Sequence, residues 1–305
     1  MESTGYIIRT YRTSDFDSLV RLKNEAALLS SNGSYMSPDA IREGFSRPGY
    51  STEQCLFVVE RYGAVVGYME LFPEVKIGRV ILDGLIEQPH RCIGLAKRLL
   101  QETMKRARNM GANAAHVNVR EGNSHARAAL ENTGFYVIRR HLEIEIDLKN
   151  LSEPDKVSLP IRPLGENELE RLTVIQNRSF TGSWGFSPNT IEEIAHAAGT
   201  GNDGVEGVCL AVDGEKTAGY CWARTQEDGR GNSWGRIGML GVDPDYQGRG
   251  LGRELLLKGL SFLRGKGHDT AQLTVDSENT VAYNLYQSVG FTLRDISLWY
   301  EKHVG

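Results

Sequence analysis

The chain has 305 residues, 40% of them hydrophobic, and a formal net charge of -4. That length suits about two domains of roughly 100–200 residues each, and the apolar share excludes wholesale disorder. The acidic balance argues against nucleic acid as the main partner, no apolar run reaches membrane-spanning length, and Met1-Glu2-Ser3-Thr4-Gly5 begins no secretory pattern.

In chain order, a first strand is predicted at Tyr6–Thr10 and a helix at Phe16–Ala27, with a short helical stretch near Asp39–Phe45. Three strands rich in β-branched residues follow, at Leu56–Glu60, Val65–Phe72 and Val80–Ile86. A helix at Leu95–Arg108, a strand at Ala114–Arg120, a helix at Ser124–Asn132 and a strand from Phe135 complete the series.

The same series then recurs. Its elements are Leu159–Arg162, Asn167–Phe180, Ile191–Ala198, Val208–Val212, Thr217–Arg224, Arg236–Val242, Leu251–Arg264, Thr270–Asp276, Val281–Ser288 and a strand from Phe291. In the long helix, Leu251, Leu255, Leu256 and Phe262 recur at helical spacing. Individual residues match as well. Arg9 and Asn24 fall on Arg162 and Asn177 at an offset of 153. Leu85 and Pro89 fall on Leu240 and Pro244 at 155; Gly94, Asn123 and Gly134-Phe135 fall on Gly250, Asn279 and Gly290-Phe291 at 156. This reading places the extra residue of the second copy in the loop after the proline. The expected organisation is a first domain at 1–149, a polar linker at 150–158 and a second domain at 159–305. Each is an α/β layer with helices on both faces.

The chemistry concentrates in a glycine run. Gln247-Gly248-Arg249-Gly250-Leu251-Gly252 follows the strand Met239-Leu240-Gly241-Val242 and opens a helix. A glycine turn at a helix start presents N–H groups and a positive dipole end to an anion such as a pyrophosphate. Two familiar motifs fail. Arg253 stands where the third glycine of GxGxxG belongs, and no GxxxxGK[ST] run exists. The first copy has the worn run Arg91-Cys92-Ile93-Gly94-Leu95-Ala96.

Gln247-x-x-Gly250-x-Gly252, with Asn279-x-x-Ala282-x-x-x-Tyr286-x-x-x-Gly290-Phe291 downstream, resembles the GNAT (Gcn5-related) N-acetyltransferases. The resemblance implies two tandem GNAT folds, each with a mixed, mostly antiparallel central sheet. It implies acetyl-CoA as co-substrate, its pyrophosphate held by Gln247 and the N–H groups from Gly248 to Arg253, with Arg249 and Arg253 adding charge. The main chain of Leu240, Gly241 and Val242 would pair with the pantetheine arm, and Asn279 would belong to the second motif. Tyr286 would be the general acid for the departing thiolate. Leu130 stands at its place in the first copy, which therefore reads as a degenerate domain.

The tandem arrangement is similar to the mycothiol synthase-like subgroup, through Asn177–Ser187 and Gly219-Tyr220-Cys221-Trp222. That likeness implies an amine acceptor, with Trp184, Phe186, Trp222 and Arg224 as candidate lining. A subgroup glutamate aligns with Arg236, which cannot act as a base because guanidinium stays protonated. The general base is left unassigned. The expected function is amine acetylation by direct attack in the second domain. A non-catalytic acyl-CoA sensor is the alternative. Cys55, Cys92, Cys209 and Cys221 show no CxxC spacing and read as reduced thiols of a cytoplasmic protein. Seven dispersed histidines suggest no metal site.

Overall fold

The computed structural model describes residues 5–31, 33–149, 151, 157–199 and 203–305. They form two compact units. One comprises residues up to His141 together with Asp295–Gly305; the other is Leu142–Arg294. These divisions differ from the expected domain limits at 149 and 159. Residues 150 and 152–156 of the expected linker lie outside the described residues.

The first unit contains β1 (Tyr6–Thr10), α1 (Phe16–Leu29), α2 (Pro38–Gly44) and a single turn α3 (Thr52–Cys55). β2 (Leu56–Arg61), β3 (Ala64–Glu74), β4 (Arg79–Ile86), α4 (Leu95–Asn109), β5 (Ala114–Arg120) and α5 (Ser124–Glu131) follow. β6 (Tyr136–Asp147) contributes residues 136–141 here and 142–147 to the second unit. The second unit continues with β7 (Ile161–Pro163), α6 (Leu169–Phe180), α7 (Ile191–Gly199), β8 (Val208–Asp213) and β9 (Lys216–Glu227). It ends with β10 (Ser233–Val242), α8 (Leu251–Gly265), β11 (Thr270–Asp276) and α9 (Thr280–Val289). β12 (Thr292–His303) gives residues 295–303 back to the first unit.

Each sheet is mixed. The first unit runs β1-β2-β3-β4-β5-β12, antiparallel except where β4 meets β5. The second runs β7-β8-β9-β10-β11-β6, and β10 pairs β11 in parallel. Helices cover both faces of each, because the central strands alternate two apolar sets. In the second unit Cys221, Ala223, Ile237, Leu273 and Val275 pack under the leucine stripe of α8. Tyr220, Trp222 and Met239 pack under α6 and α7.

The duplication extends to hydrogen-bond geometry. Arg9 grips Asp15 with two bonds of 2.7 and 2.8 Å, and Arg162 grips Glu168 with two of 2.6 and 2.7 Å. Asn24 bonds both backbone groups of Met36, twelve residues on, as Asn177 does with Asn189.

One repeat difference falls inside a strand. β3 and β4 pair without interruption from Gly67↔Ile86 to Glu74↔Arg79. β9 and β10 shift register between Ile237 and Met239, which leaves Gly238 as a β-bulge. Ile86 to Arg91 and Val242 to Gln247 then span equal lengths, with Gln247 held as Arg91 is. Gln247 Nε2 donates to the Val242 carbonyl at 3.2 Å, and Arg91 Nε to the Ile86 carbonyl at 2.6 Å. The extra residue of the second copy is therefore the bulge; the expected loop insertion is corrected.

Candidate functional site

The candidate site lies where β10 leaves β11 and runs into α8. The parallel ladder holds only at Gly235↔Ala271 and Arg236↔Gln272. From Ile237 onward the strands part, so one edge of Met239–Val242 has its amide groups off the ladder. Unpaired strand edges are suited to an extended ligand that completes the hydrogen bonding. The bulge sits at this parting and adds the local twist that turns β10 away. Of the three residues expected to pair by main chain, Val242 has its carbonyl engaged by Gln247.

The turn that follows opens α8 on two left-handed glycines. Gly248 and Gly250 take φ of +75° and +83°, the left-handed region that a side chain disfavours. Gly250 is the N-cap of α8. Arg253 N–H is spent on the Gly250 carbonyl at 3.0 Å, so the expected cradle shortens to the N–H groups of 248–252. A Cβ on Gly252 would meet Leu285 at 3.5 Å and Val242 at 3.6 Å, ordinary contact. The protein's own packing therefore does not require glycine there.

The flanking side chains are tied at one edge each. Arg249 donates to the Asp245 carbonyl at 2.8 Å, and Arg253 to the carbonyl and hydroxyl of Ser288 at 3.3 and 3.2 Å. Their charges remain beside the positive helix end. Asp243 fixes the loop from below, taking Arg178 Nε at 2.6 Å and Nη2 at 3.0 Å. The Arg178 guanidinium holds its carboxyl below the ordinary carboxylate range. Asn279 caps α9 by accepting from the Ala282 N–H at 3.1 Å, so its side-chain oxygen has a helix-starting task.

Tyr286 projects from α9 into the core beneath α8, 8% exposed, with its ring edge-on to Phe291 at 5.8 Å. Burial raises its phenol well above the usual value, with nearby Cys221 adding to the rise. The neutral, proton-carrying form is thereby favoured. Leu130 occupies the matching place on α5. Phe135 N–H bonds the Leu130 carbonyl as Phe291 N–H bonds that of Tyr286, at 3.0 and 3.1 Å.

The acceptor candidates separate. Trp222 is 2% exposed in the core under α6 and α7, and its indole donates to the Gly204 carbonyl at 3.3 Å. It supports the face rather than lining it. Arg224 stacks over that ring at 4.1 Å and donates to the Ala197 carbonyl. Trp184 and Phe186 lie half-buried in the loop after α6, where Phe186 meets Phe180 at 5.5 Å.

The model of the acetyltransferase (GNAT) family matches residues 24–135 and again 169–291. The chain belongs to the GNAT acetyltransferase family. It is 31% identical over 229 residues to mycothiol acetyltransferase of Thermobifida fusca, covering 68% of this chain and 69% of that one. The fold is similar to a GCN5-related N-acetyltransferase of Sphaerobacter thermophilus, with TM-score 0.73, 20% identity, and 100% and 97% of the two chains covered. A tandem GNAT protein from the clavulanic acid biosynthesis pathway also gives TM-score 0.73, at 15% identity over 98% and 99% of the chains. This GNAT chain is thus an acyltransferase built from two GNAT folds, and the family's acyl-CoA chemistry applies to it. Among the described residues no helix is long and apolar enough to cross a membrane, and no histidine, cysteine or carboxylate group is arranged to hold a metal.

Three features of the GNAT chain escaped sequence reasoning. The drift in offset between the two copies is the sequence signal of the bulge. Glu143 packs in the second unit although it precedes the expected boundary. The alternation of Glu143, Glu145 and Asp147 in β6 was the signal for a strand with an acidic face. The third feature is Cys92, which keeps φ of +64° where the second copy has Gly248. The worn loop has retained its backbone path after losing its glycine. Relief of left-handed strain is worth about 1–2 kcal/mol, and a new glycine costs about 0.4–1 kcal/mol through the unfolded chain. Cys92→Gly is therefore expected to stabilise the protein by up to about 1.6 kcal/mol, read as a raised urea midpoint at constant slope.

Proposed function

We propose that the protein transfers acetyl from acetyl-CoA to a primary amine of a small molecule or peptide, with the working site in the second unit. One observation carries this reading. The second unit combines a bulged β10, a two-glycine cradle and Tyr286, whereas the first has a regular β4, Cys92 and Leu130.

In the proposed reaction the cradle at 248–252 takes the pyrophosphate and the free edge of β10 takes the pantetheine arm. A neutral amine attacks the thioester carbonyl carbon and forms the C–N bond. The tetrahedral intermediate collapses, the C–S bond breaks, and its electron pair leaves on sulfur. Tyr286 donates a hydrogen bond to that sulfur, the amine's surplus proton goes to water, and the thiolate takes a proton from water. The products are the N-acetylamine and free CoA thiol. Holding amine and thioester together supplies much of the acceleration.

The test is release of CoA thiol from acetyl-CoA across aminoglycosides, polyamines, cysteinyl conjugates and peptide N-termini. Amine-dependent release supports the reading. Acetyl-CoA binding with no release toward any amine overturns it in favour of a sensor.

A further inference from the structure

The face of the second sheet under α6 and α7 carries two arginines directly opposite one another. Arg236 on β10 pairs with Arg224 on β9. Like charges in that position repel, at Cβ separations of about 5 Å. Both arginines are half-buried, where charge is harder to solvate than at the open surface. Their compensation is thin. Arg224 has one hydrogen bond, to a backbone carbonyl, and no carboxylate within ion-pair distance among the described residues. Arg236 has a side chain only 16% exposed, and it engages through Nη2 alone. That atom meets Thr274 Oγ1, with Glu143 at 3.7 Å. Glu143 is shared, since Thr274 also donates to it at 2.7 Å. The Nε and Nη1 donors of Arg236 have no acceptor among the described residues.

The first unit shows what the same face looks like without this demand. The pair in the matching register is Phe72↔Ile81. The buried cation there, Lys23, bonds Glu70 directly, and Tyr50 donates to the other Glu70 oxygen at 2.6 Å. That cation is bonded directly, whereas on the second face Glu143 stands 3.7 Å from Arg236 and no carboxylate among the described residues lies within 4 Å of Arg224.

The arginine pair also borders the opening. Gly238, the bulge, is exposed, and a Cβ placed there would stand 3.9 Å from Arg224 Cδ. A group held by the pair would therefore sit next to the point where β10 parts from β11.

We propose that the acceptor amine carries an anionic group, a carboxylate or phosphate-like oxyanion, and that Arg224 and Arg236 bind it across the β9–β10 pair. This inference rests on the amine-transfer reading and narrows its substrate class. Two guanidinium groups offer planar paired donors that match such an oxyanion. Trp222 supports the Arg224 plane from below, and the Glu143–Thr274 pair fixes the Arg236 head. Arg236, which cannot act as a base, thereby serves recognition.

The experiment compares amines of matched basicity in the thiol-release assay. One set is 4-aminobutyrate, 3-aminopropylphosphonate and butylamine; the other is Leu-Gly and Leu-Gly-amide, extended with acid and amide forms of any acceptor found in the broad panel. The anionic member should exceed its neutral partner by roughly 10–100-fold in kcat/KM, the range for a charged hydrogen-bonded contact. The difference should lie mostly in KM, and the first set separates carboxylate from phosphonate preference. In Arg236→Met and Arg224→Met the ratio of anionic to neutral rates should fall toward one, and Arg236→Lys should recover part of it. Acetyl-CoA affinity and circular dichroism report whether the variants fold. Equal rates for anionic and neutral partners in the wild type would overturn the inference and leave amine transfer standing. So would variants that lower both rates alike. Absence of transfer to every amine would instead overturn the underlying reading, and this one with it.

Discussion

Replacing Tyr286 by phenylalanine is expected to slow turnover more than about tenfold, the usual scale for a positioned acid, and to leave acetyl-CoA affinity within about twofold. The substitution removes one oxygen from a buried ring and keeps its contact with Phe291, so the fold should persist. Burial raises the phenol above its ordinary value. A thiol of ordinary acidity lies near 8.5. Full proton transfer from this phenol to a thiolate is then uphill. Its larger contribution is a hydrogen bond that strengthens as charge develops on sulfur. The sign of the shift gives a second expectation. The acid form is present at every pH below its raised value, so Tyr286 supplies no basic limb below about pH 10. Wild type and Tyr286→Phe should show the same limbs in kcat against pH. Unchanged kcat in the variant would remove Tyr286 from the mechanism.

Deleting Gly238 is expected to leave the fold intact and to weaken acetyl-CoA binding more than about tenfold. The reason is geometric. Ile237 already faces the α8 core, Met239 the α6 and α7 core, and Leu240 and Val242 the α8 core again. Without the bulge these residues alternate as a regular strand does, each on its present face. β4 is the natural example of such a strand. Met239–Val242 would keep their partners on β9, Met239 opposite Trp222 and Val242 opposite Gly219, and lose the extra local twist that the bulge adds. That loss carries the Gln247–Gly252 turn out of line with the parted strands. Binding measured by calorimetry, beside a urea unfolding curve, separates the two effects. Lost stability with unaltered affinity in the folded fraction would contradict the role given to the bulge.

Much of this was legible in the sequence because the repeat is written in residues that take one structural role each. Arg9 and Arg162, Asn24 and Asn177, and the glycines at 94 and 250 mark equivalent places, and the strands and helices follow from apolar periodicity. The cradle was legible because αL positions select glycine. Three things were hidden for physical reasons. A bulge inserts one residue without altering composition. A side chain's partner can come from a distant strand, as Glu143 does for Arg236. Arg224 and Arg236 lie twelve residues apart in the chain and become neighbours only through β-sheet register. Burial likewise separated Trp222, a core residue, from Arg224 beside it.

The central claim is that the second unit alone carries the working site. It is tested by thiol release in two matched variants, Gly94→Val and Gly250→Val. Both glycines cap the long helix of their unit, with φ of +82° and +83°, and a Cβ at either meets nothing within 4 Å. Valine therefore imposes the same backbone strain at both positions, with open space around its Cβ at each. Gly250→Val is expected to lose more than about tenfold in kcat/KM for acetyl-CoA, and Gly94→Val to stay within about twofold of wild type. Equal losses in the two variants, or the larger loss in Gly94→Val, would contradict that claim.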